Sequence, residues 1–488
     1  MLANPFPDLS NEQEDALKIN LQQWALTNGL VMYPPNFEPC QVNVAPITLF
    51  PTPIPRSCFD SANKVQKLFN ELYVSLVSKE KSWLVGILAE LAQFDPEFTG
   101  KLFEIYQKSI ADGVLQPLSL GIFRSDYMID SKSNEIKQIE FNTVSVSFGG
   151  LSTKIGQLHN FLNANGFFDN KYNFKYYKDE EIPVSKSVDQ IAEGLADGNY
   201  HYNEDKKYAQ NTIVLVVVQP NERNCFDQRL IEYSLFENHG VRSFRVTLEN
   251  IVDKITENDG KIYVKETMDE ISVVYYRSGY GPDDYEVNPA KTWHGRFLLE
   301  KSKAIKCPSI LTQLSGSKKI QQLLTNEQII SKLLPKLNKT DLQLLLSTFV
   351  KIWPLDDSEE GKLAAKLAFE EPQNYVLKPQ REGGGNNIYK LDIPDFLKNL
   401  KKEEWGAYVL MELITPQTYK NKIIRNEEIF NEDIISELGI FGTTLFSEET
   451  GDIKTNKNAG WLLRSKFETS NEGGVAAGFG CVDNIHLY

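Results

Sequence analysis

IVLVVVQPNERNCFDQRLIEYSLFENHGVRSFRVTL, Ile213 to Leu248, carries the pattern that decides the fold. Its first six residues are all apolar and mostly β-branched, which reads as a strand buried on both faces. DQRLIEYSLFENHG then spaces its apolar residues as an amphipathic helix and closes at Gly240, a residue suited to a helix C-terminus. VRSFRVTL is a second strand. Further on, ISVVYYRSGYGP (271–282) is a strand that opens into a glycine-containing loop. Strand, helix, strand and loop make an α/β unit with a largely parallel sheet, because parallel neighbours need a crossover of this length. The unit runs from about Thr212 to Gln313.

Outward from it, VQKLFNELYVSLV places Val65, Leu68, Phe69, Leu72 and Leu76 on one helical stripe. SLGIFRSDYMID and EIKQIEFNTVSVSF read as two strands joined by a hairpin loop, SKSN. Asn160 to Gln210 is polar and irregular and is expected to wrap the surface. After the α/β unit, helices (KKIQQLL, EEGKLAAKLAF) alternate with strands (NYVLKP, AYVLMELI, DIISELGIFGT), and SNEGGVAAGFG near the end is a loop of small residues. The organisation expected is 1–211, 212–313 and 314–488.

The 488 residues exceed one ordinary core, so two or three packed lobes are expected. With 52 basic and 66 acidic residues the formal charge is −14. That balance argues against a broad nucleic-acid or anionic-membrane surface while leaving room for a local basic pocket. Cys40, Cys58, Cys225, Cys307 and Cys481 are scattered without a C-x-x-C pair, which disfavours a disulfide framework and a zinc site. The five histidines show no metal-ligand spacing, and no G-x-S-x-G is present. The first residues lack a signal-peptide pattern, and the longest apolar run is far short of a membrane span, so the expected location is the cytoplasm.

Chemistry is suggested by KPQREGGGNNIY, Lys378 to Tyr389. Glycines after a strand let backbone N–H groups approach an anion, and Lys378 adds a point charge. A plain flexible loop fits the spacing equally well. In IEFNT, alternation puts Ile139 and Phe141 on one face and Glu140 and Asn142 on the other. A carboxylate and an amide oxygen at i and i+2 suit Mg²⁺, as does Glu382 as a third oxygen; an ordinary amphipathic strand also suits the pair. Arg124 and Arg277 end the apolar runs LGIF and VVYY, Arg464 and Lys466 follow WLL, and Lys318 follows SGS, placements that together favour a polyanion pocket. In AYVLMELI, Met411 could lie against an adenine ring or simply pack the core.

LGIFRSDYM, IEFNTVSVSFGGL, ERNCFDQR, YYRSGY, KCPSILTQLSGSKK, VLKPQREGGGNN, ISELGIFG and LLRSKF with GGVAAG together resemble the eukaryotic-type glutathione synthetases, in unbroken order from Arg124 onward. The resemblance implies an ATP-grasp fold, α+β lobes closing over ATP with an inserted α/β substrate-binding unit and a mobile lid. It implies a cytoplasmic homodimer that joins γ-glutamylcysteine to glycine with ATP and Mg²⁺. By position, Glu140, Asn142 and Glu382 resemble the Mg²⁺ ligands. The ATP shell is resembled by Glu140, Lys318, Lys378, Pro379, Gln380, Arg381, Glu382, Gly383, Gly384, Gly385, Asn386, Asn387, Tyr389, Met411, Glu412, Leu413, Ile414, Glu437, Lys466 and Glu472. Leu413 is a departure, since a longer polar residue stands there in some relatives; contact with adenine through the backbone would make the change harmless. The peptide site is resembled by Arg124, Val144, Ser145, Val146, Ser147, Glu222, Arg223, Asn224, Gln228, Arg277, Ser278, Gly279, Tyr280, Arg464, Val475 and Ala476.

The chemistry so implied is coherent. A carboxylate is a poor acyl donor until phosphorylated, and phosphoryl transfer asks a protein mainly for charge neutralisation and positioning. Arg464, Arg124, Lys318 and Lys378 are the catalytic candidates, with Arg464 steadying the acyl-phosphate charge, and the Gly383 to Gly385 run covers the transferring phosphate. Two other readings stay open: the same ligation with β-alanine or serine as acceptor, and an inactive nucleotide-binding protein. A protein kinase lacks its signature set here.

Overall fold

The computed structural model describes residues 5–169, 174–203, 212–380, 386–425, 428–470, 474, 475, 478 and 480–488. Among them, thirteen strands form one mixed sheet and four more form a small antiparallel sheet.

The α/β unit folds as its pattern expects. Thr212–Val218, Ser243–Thr247, Glu270–Tyr276 and Ile305–Cys307 are strands, and all their mutual pairings are parallel. The Cys225–His239 helix crosses between the first two and ends on Gly240 in the left-handed region (φ 68°). The sheet does not stop there. Lys306 pairs with Ser119, which joins the unit to the Leu118–Asp130 strand in parallel register. That strand runs antiparallel to Glu428–Ser447, and Glu428–Ser447 runs antiparallel to Ile453–Phe467. The α/β unit and the long antiparallel strands therefore share one surface.

The hairpin is present, as Leu118–Asp130 and Glu135–Asn142. Its second strand ends at Asn142 rather than continuing through TVSVSF, which is an irregular segment leading into the Gly149–Ala164 helix. The Arg56–Ser78 helix covers the hairpin with Val65, Phe69, Leu72 and Leu76 buried. Each removes an apolar side chain from water, worth about 1.5–3 kcal/mol. Tyr73 stacks on Phe141 with ring centroids 4.0 Å apart.

The expectation for 160–210 is corrected. Its described part includes the end of the Gly149–Ala164 helix and the Ser187–Tyr202 helix, which buries Ile191, Ala192 and Leu195. The polar composition misled because several polar residues are interior and paired. Asn163 donates to the Tyr177 carbonyl at 2.8 Å, and Asn199 donates to Ser272 Oγ at 2.7 Å. Buried amides need partners, and these have them.

The small sheet is ordered Ile352–Pro354, Tyr408–Glu412, Tyr375–Pro379, Ile388–Tyr389. Leu355, Ala364, Leu377, Ile393 and Leu410 form its own apolar core under the Glu359–Glu370 and Asp392–Asn399 helices. It meets the large sheet where Lys378 Nζ donates to the Ile139 carbonyl at 2.9 Å.

Candidate active site

The site begins with three adjacent strands of the large sheet. Gly439 stands opposite Asp126, Phe441 opposite Arg124, and Glu437 opposite Arg464. Arg124 and Arg464 are thus inside strands, as is Lys466, and not at points where strands run out. Charged residues can occupy a sheet interior here because they neutralise one another across it. Arg124 grips Asp126 with two bonds, Nε to Oδ1 at 2.6 Å and Nη2 to Oδ2 at 2.7 Å. Arg464 Nη2 donates to Glu437 Oε2 at 2.8 Å and to Asp126 Oδ2 at 3.2 Å, and Lys466 lies 3.7 Å from Glu437. Burial works against the Arg464 charge, but Glu437, Asp126 and Glu140 outweigh it and hold the guanidinium firmly ionised.

Glu135–Asn142 adds the next layer. Asp126 pairs with Glu140 and Tyr127 with Gln138, so a bulge falls at Ile139. Alternation therefore holds from Glu140 to Asn142 and breaks just before. Phe141 is fully buried against Phe69 and Tyr73, which turns Glu140 and Asn142 to the opposite face. Asn142 Nδ2 donates to Asp126 Oδ2 at 3.0 Å and to the Arg124 carbonyl at 3.3 Å. With the nitrogen so engaged, Oδ1 is the atom left for a cation. Glu140 accepts from Lys318 Nζ at 2.9 Å. Burial opposes ionisation of Glu140, yet Lys318, Lys378 and Arg464 hold its carboxyl well below the usual range.

These two oxygens suit a hard cation. Glu382 lies outside the described residues, so the third proposed ligand has no placement here; among the described residues no cluster of three or more His, Cys, Asp or Glu side chains could hold a metal.

Two buried lysines complete the group of candidate anion-binding residues. Lys318 opens the Lys318–Leu323 helix, and Lys378 lies near the end of Tyr375–Pro379. Burial, then the Lys318 charge, pull the Lys378 ammonium down to about 8 against Glu140, Glu437 and Asp126. Pro379 pairs with Tyr408, and Gln380 Oε1 accepts from the Lys319 N–H at 2.7 Å. Tyr389 pairs with Val376, and Asn387 Nδ2 donates to Tyr389 Oη at 3.2 Å, beside an exposed Asn386. Met411 is buried and pairs with Val376. Glu412 ends that strand, exposed, with its N–H on the Lys351 carbonyl. The Leu413 N–H donates to the Asn374 carbonyl at 2.8 Å, so this N–H is not offered to a base; Leu413 leads into a half-buried Ile414. Arg381, Gly383, Gly384, Gly385, Glu472 and Ala476 also lie outside the described residues.

The peptide-site candidates gather at the C-terminal ends of the parallel strands, where open α/β sheets place ligands. Arg277 follows Tyr276 directly, is buried, and donates Nη1 to the Val146 carbonyl and Nη2 to Ser147 Oγ at 2.6 Å. Arg124 Nη1 donates to the Ser147 carbonyl at 3.1 Å. The Val144 to Ser147 segment is thus held by both arginines, and Ser145 Oγ bonds the Tyr276 carbonyl. Burial opposes the Arg277 charge, with Tyr275, Asp227 and Glu222 outweighing it. Glu222 accepts from the Asn224 N–H and from Gln228 Nε2 at 3.2 Å. Arg223 Nε donates to the Tyr33 carbonyl at 3.2 Å. Ser278 is buried, the Gly279 N–H donates to Asp284 at 2.8 Å, and Tyr280 Oη accepts from Gln219 at 3.0 Å. Burial and Asp284 push the Tyr280 phenol up to about 12. Val475 is buried in the turn before the Gly480–Asp483 strand.

Two residues escaped sequence reading. Asp126 shares a strand face with Arg124 at i and i+2, a signal the apolar run obscured. Asp227 lies inside ERNCFDQR and accepts the N–H groups of Phe148, Gly150 and Leu151 at 2.8, 2.6 and 3.0 Å, capping the helix that follows Val144 to Ser147. A cavity of about 360 Å³ lined by Tyr106, Lys306 and Glu448 shares no lining residue with the site.

A model of the family "Eukaryotic glutathione synthase, ATP binding domain" matches residues 11–487. The glutathione synthetase large chain of Schizosaccharomyces pombe is 38% identical, the alignment covering 98% of each chain. The glutathione synthetase of Dictyostelium discoideum is 37% identical over 97% of this chain and 99% of its own. That of Homo sapiens is 38% identical over 91% of this chain and 90% of its own. In structure the chain is similar to a glutathione synthetase-like effector of Globodera pallida without ligand, with a TM-score of 0.76, 22% identity and full coverage of both, a likeness of fold alone. No helix among the described residues is long and apolar enough to cross a membrane. By sequence over nearly its whole length, and with a mixed α/β architecture consistent with the ATP-grasp type, the chain belongs to the eukaryotic glutathione synthetase family, whose members are ATP-using ligases.

Proposed function

We propose that this chain ligates γ-glutamylcysteine to glycine with ATP, giving glutathione, ADP and phosphate. The observation that carries the reading is the convergence of Arg124, Arg277 and Arg464 with Glu140, Asn142, Lys318 and Lys378 on one face of the sheet. Arginines bind the carboxylates of the dipeptide, and the lysines meet phosphate oxygens. The cysteinyl carboxylate oxygen forms a bond to the γ-phosphorus while the bond to the β-phosphate oxygen breaks and ADP leaves. The glycine amine then attacks the acyl carbon, the carbon–oxygen bond breaks, phosphate departs, and the amine proton passes to water. Arg464, already ionised between Glu437 and Asp126, neutralises charge as it develops without having to reorganise. Glu140 and Asn142 Oδ1 would hold Mg²⁺, with Glu382 as a third ligand, and the ion when bound neutralises the phosphates.

The Gly383 to Gly385 run serves as a lid over the phosphate, and the 212–313 unit with Val475 and Ala476 receives the peptide. The protein works as a cytoplasmic homodimer, although the Arabidopsis thaliana relative is named chloroplastic.

The test is ADP release from purified protein with ATP and Mg²⁺, adding γ-glutamylcysteine and an amine separately and together. Release that needs γ-glutamylcysteine and glycine supports the reading. Preference for β-alanine or serine changes the acceptor and keeps the chemistry, since one methylene in a pocket is worth only about 1–3 kcal/mol. Nucleotide binding without release under any pairing overturns it.

A further inference from the structure

We propose that Asp126 is a positioning residue that sets Arg124, Asn142 and Arg464 in register with one another, and that Gly439 provides the space in which it does so. The proposal rests on the ligase reading above.

Asp126 is 1% exposed, and its two oxygens accept four hydrogen bonds. Those bonds come from residues given three different tasks: Arg124 for the peptide, Asn142 for the metal ion, and Arg464 for the transferring phosphate. The consequence is sharpest at Asn142. An amide side chain can face a site with oxygen or with nitrogen, and the two ends are nearly equal in shape. Asp126 Oδ2 and the Arg124 carbonyl both demand the nitrogen, so the oxygen is turned outward where a hard cation needs it. The fork of Arg124 is likewise fixed in its plane by the two-point contact, which aims its remaining Nη1 at the Ser147 carbonyl.

Gly439 lies directly across the strand pair from Asp126. A Cβ there would come within 2.8 Å of both Arg124 Cδ and Asp126 Oδ1. The Arg124–Asp126 pair therefore lies flat over a backbone that carries no side chain. Any residue larger than glycine displaces the pair while leaving Asp126 chemically intact.

Two variants test this, each beside wild type and each checked by thermal unfolding. Asp126→Asn keeps the shape and removes the charge that demands the Asn142 nitrogen. Gly439→Ala keeps the charge and moves the pair. Calorimetric binding of ADP is measured with and without Mg²⁺, so the readout does not depend on turnover. In Asp126→Asn the Mg²⁺ concentration for half-maximal ADP binding is expected to rise about 10–100-fold, as when a partner orienting a metal ligand is lost. Metal-free ADP binding stays unchanged, while kcat falls on the order of 10²-fold and KM for γ-glutamylcysteine rises. Gly439→Ala moves the same quantities the same way by less. If folded variants match wild type in Mg²⁺ dependence, kcat and KM, the proposal is overturned. It is also overturned if all signals fall only in proportion to lost folded protein. Should Asp126→Asn not fold, Gly439→Ala alone decides. Wild type inactive with γ-glutamylcysteine and glycine would remove the ligase reading, and the calorimetric arm would still judge Asp126.

Discussion

The floor of the site and the small sheet beside it hold their cations in different ways. On the floor, Arg124 is locked to Asp126 two residues along its own strand, and Arg464 is locked to Glu437 on the adjacent strand and to Asp126 one strand further on. On the small sheet, the Lys378 ammonium donates, among the described residues, to a backbone carbonyl. A guanidinium between two carboxylates is part of the structure, because removing it strands buried charge. The Lys378 ammonium rests on a neutral carbonyl and is pulled down by burial and by Lys318, with Glu140, Glu437 and Asp126 only partly opposing the shift. The difference separates cations fixed by carboxylate partners from one held beside a backbone carbonyl, which the proposed function assigns to phosphate.

Arg464→Met should show the largest effect, because it damages both structure and chemistry. Two buried carboxylates lose a partner, with an expected loss of about 3–5 kcal/mol in unfolding free energy by denaturant titration. Turnover should fall by at least ~10³-fold. Lys378→Met should separate the two quantities. Turnover should drop by about 10²–10³-fold while the thermal midpoint holds or rises, since a buried ammonium gives way to an apolar chain of similar length. Equal destabilisation in both variants would erase the contrast.

Asp227→Ala probes a third arrangement, a carboxylate serving backbone N–H groups. It should lower stability by about 3 kcal/mol and raise KM for γ-glutamylcysteine, because the helix start behind Val144 to Ser147 loses its acceptor. Unchanged KM with lowered stability would confine Asp227 to folding.

The smallest effect is a pH dependence. Lys378 has its ammonium lowered to about 8, so the free protein loses that charge as pH rises through 8. kcat/KM for ATP should therefore fall about tenfold per pH unit above 8 and level off below it. Lys378→Arg should retain some activity and lack this fall, since a guanidinium stays charged. A wild-type profile flat to pH 9.5, about 1.5 units above that value, would contradict the assignment.

Much of this was legible in the sequence where the deciding forces are local. The buried run from Ile213, the helix closing at Gly240 and the hairpin follow from period and turn chemistry. Glu140 and Asn142 share a face for the same reason, with Phe141 anchoring the other. Legibility ended where partners are distant. Arg124 and Arg464 read as strand-terminal because charge normally ends an apolar strand. What keeps them inside the sheet is Asp126, two residues from Arg124 along its strand but 338 positions from Arg464, together with Glu437 on the strand beside Arg464. Asp126 stayed hidden because its role exists only once four donors are assembled around it. The Ser187–Tyr202 helix was missed because its buried Asn199 looks like loop composition until Thr212 and Ser272 supply its acceptors.

The most direct test of the proposed chemistry follows one oxygen atom. γ-Glutamylcysteine labelled with ¹⁸O in its cysteinyl carboxylate is turned over with ATP, Mg²⁺ and glycine, and the phosphate released is examined by mass. Transfer of the carboxylate oxygen to phosphorus, followed by amine attack on carbon, predicts one ¹⁸O in each phosphate formed. Phosphate free of label, with glutathione still produced, would contradict the proposed acyl-phosphate route.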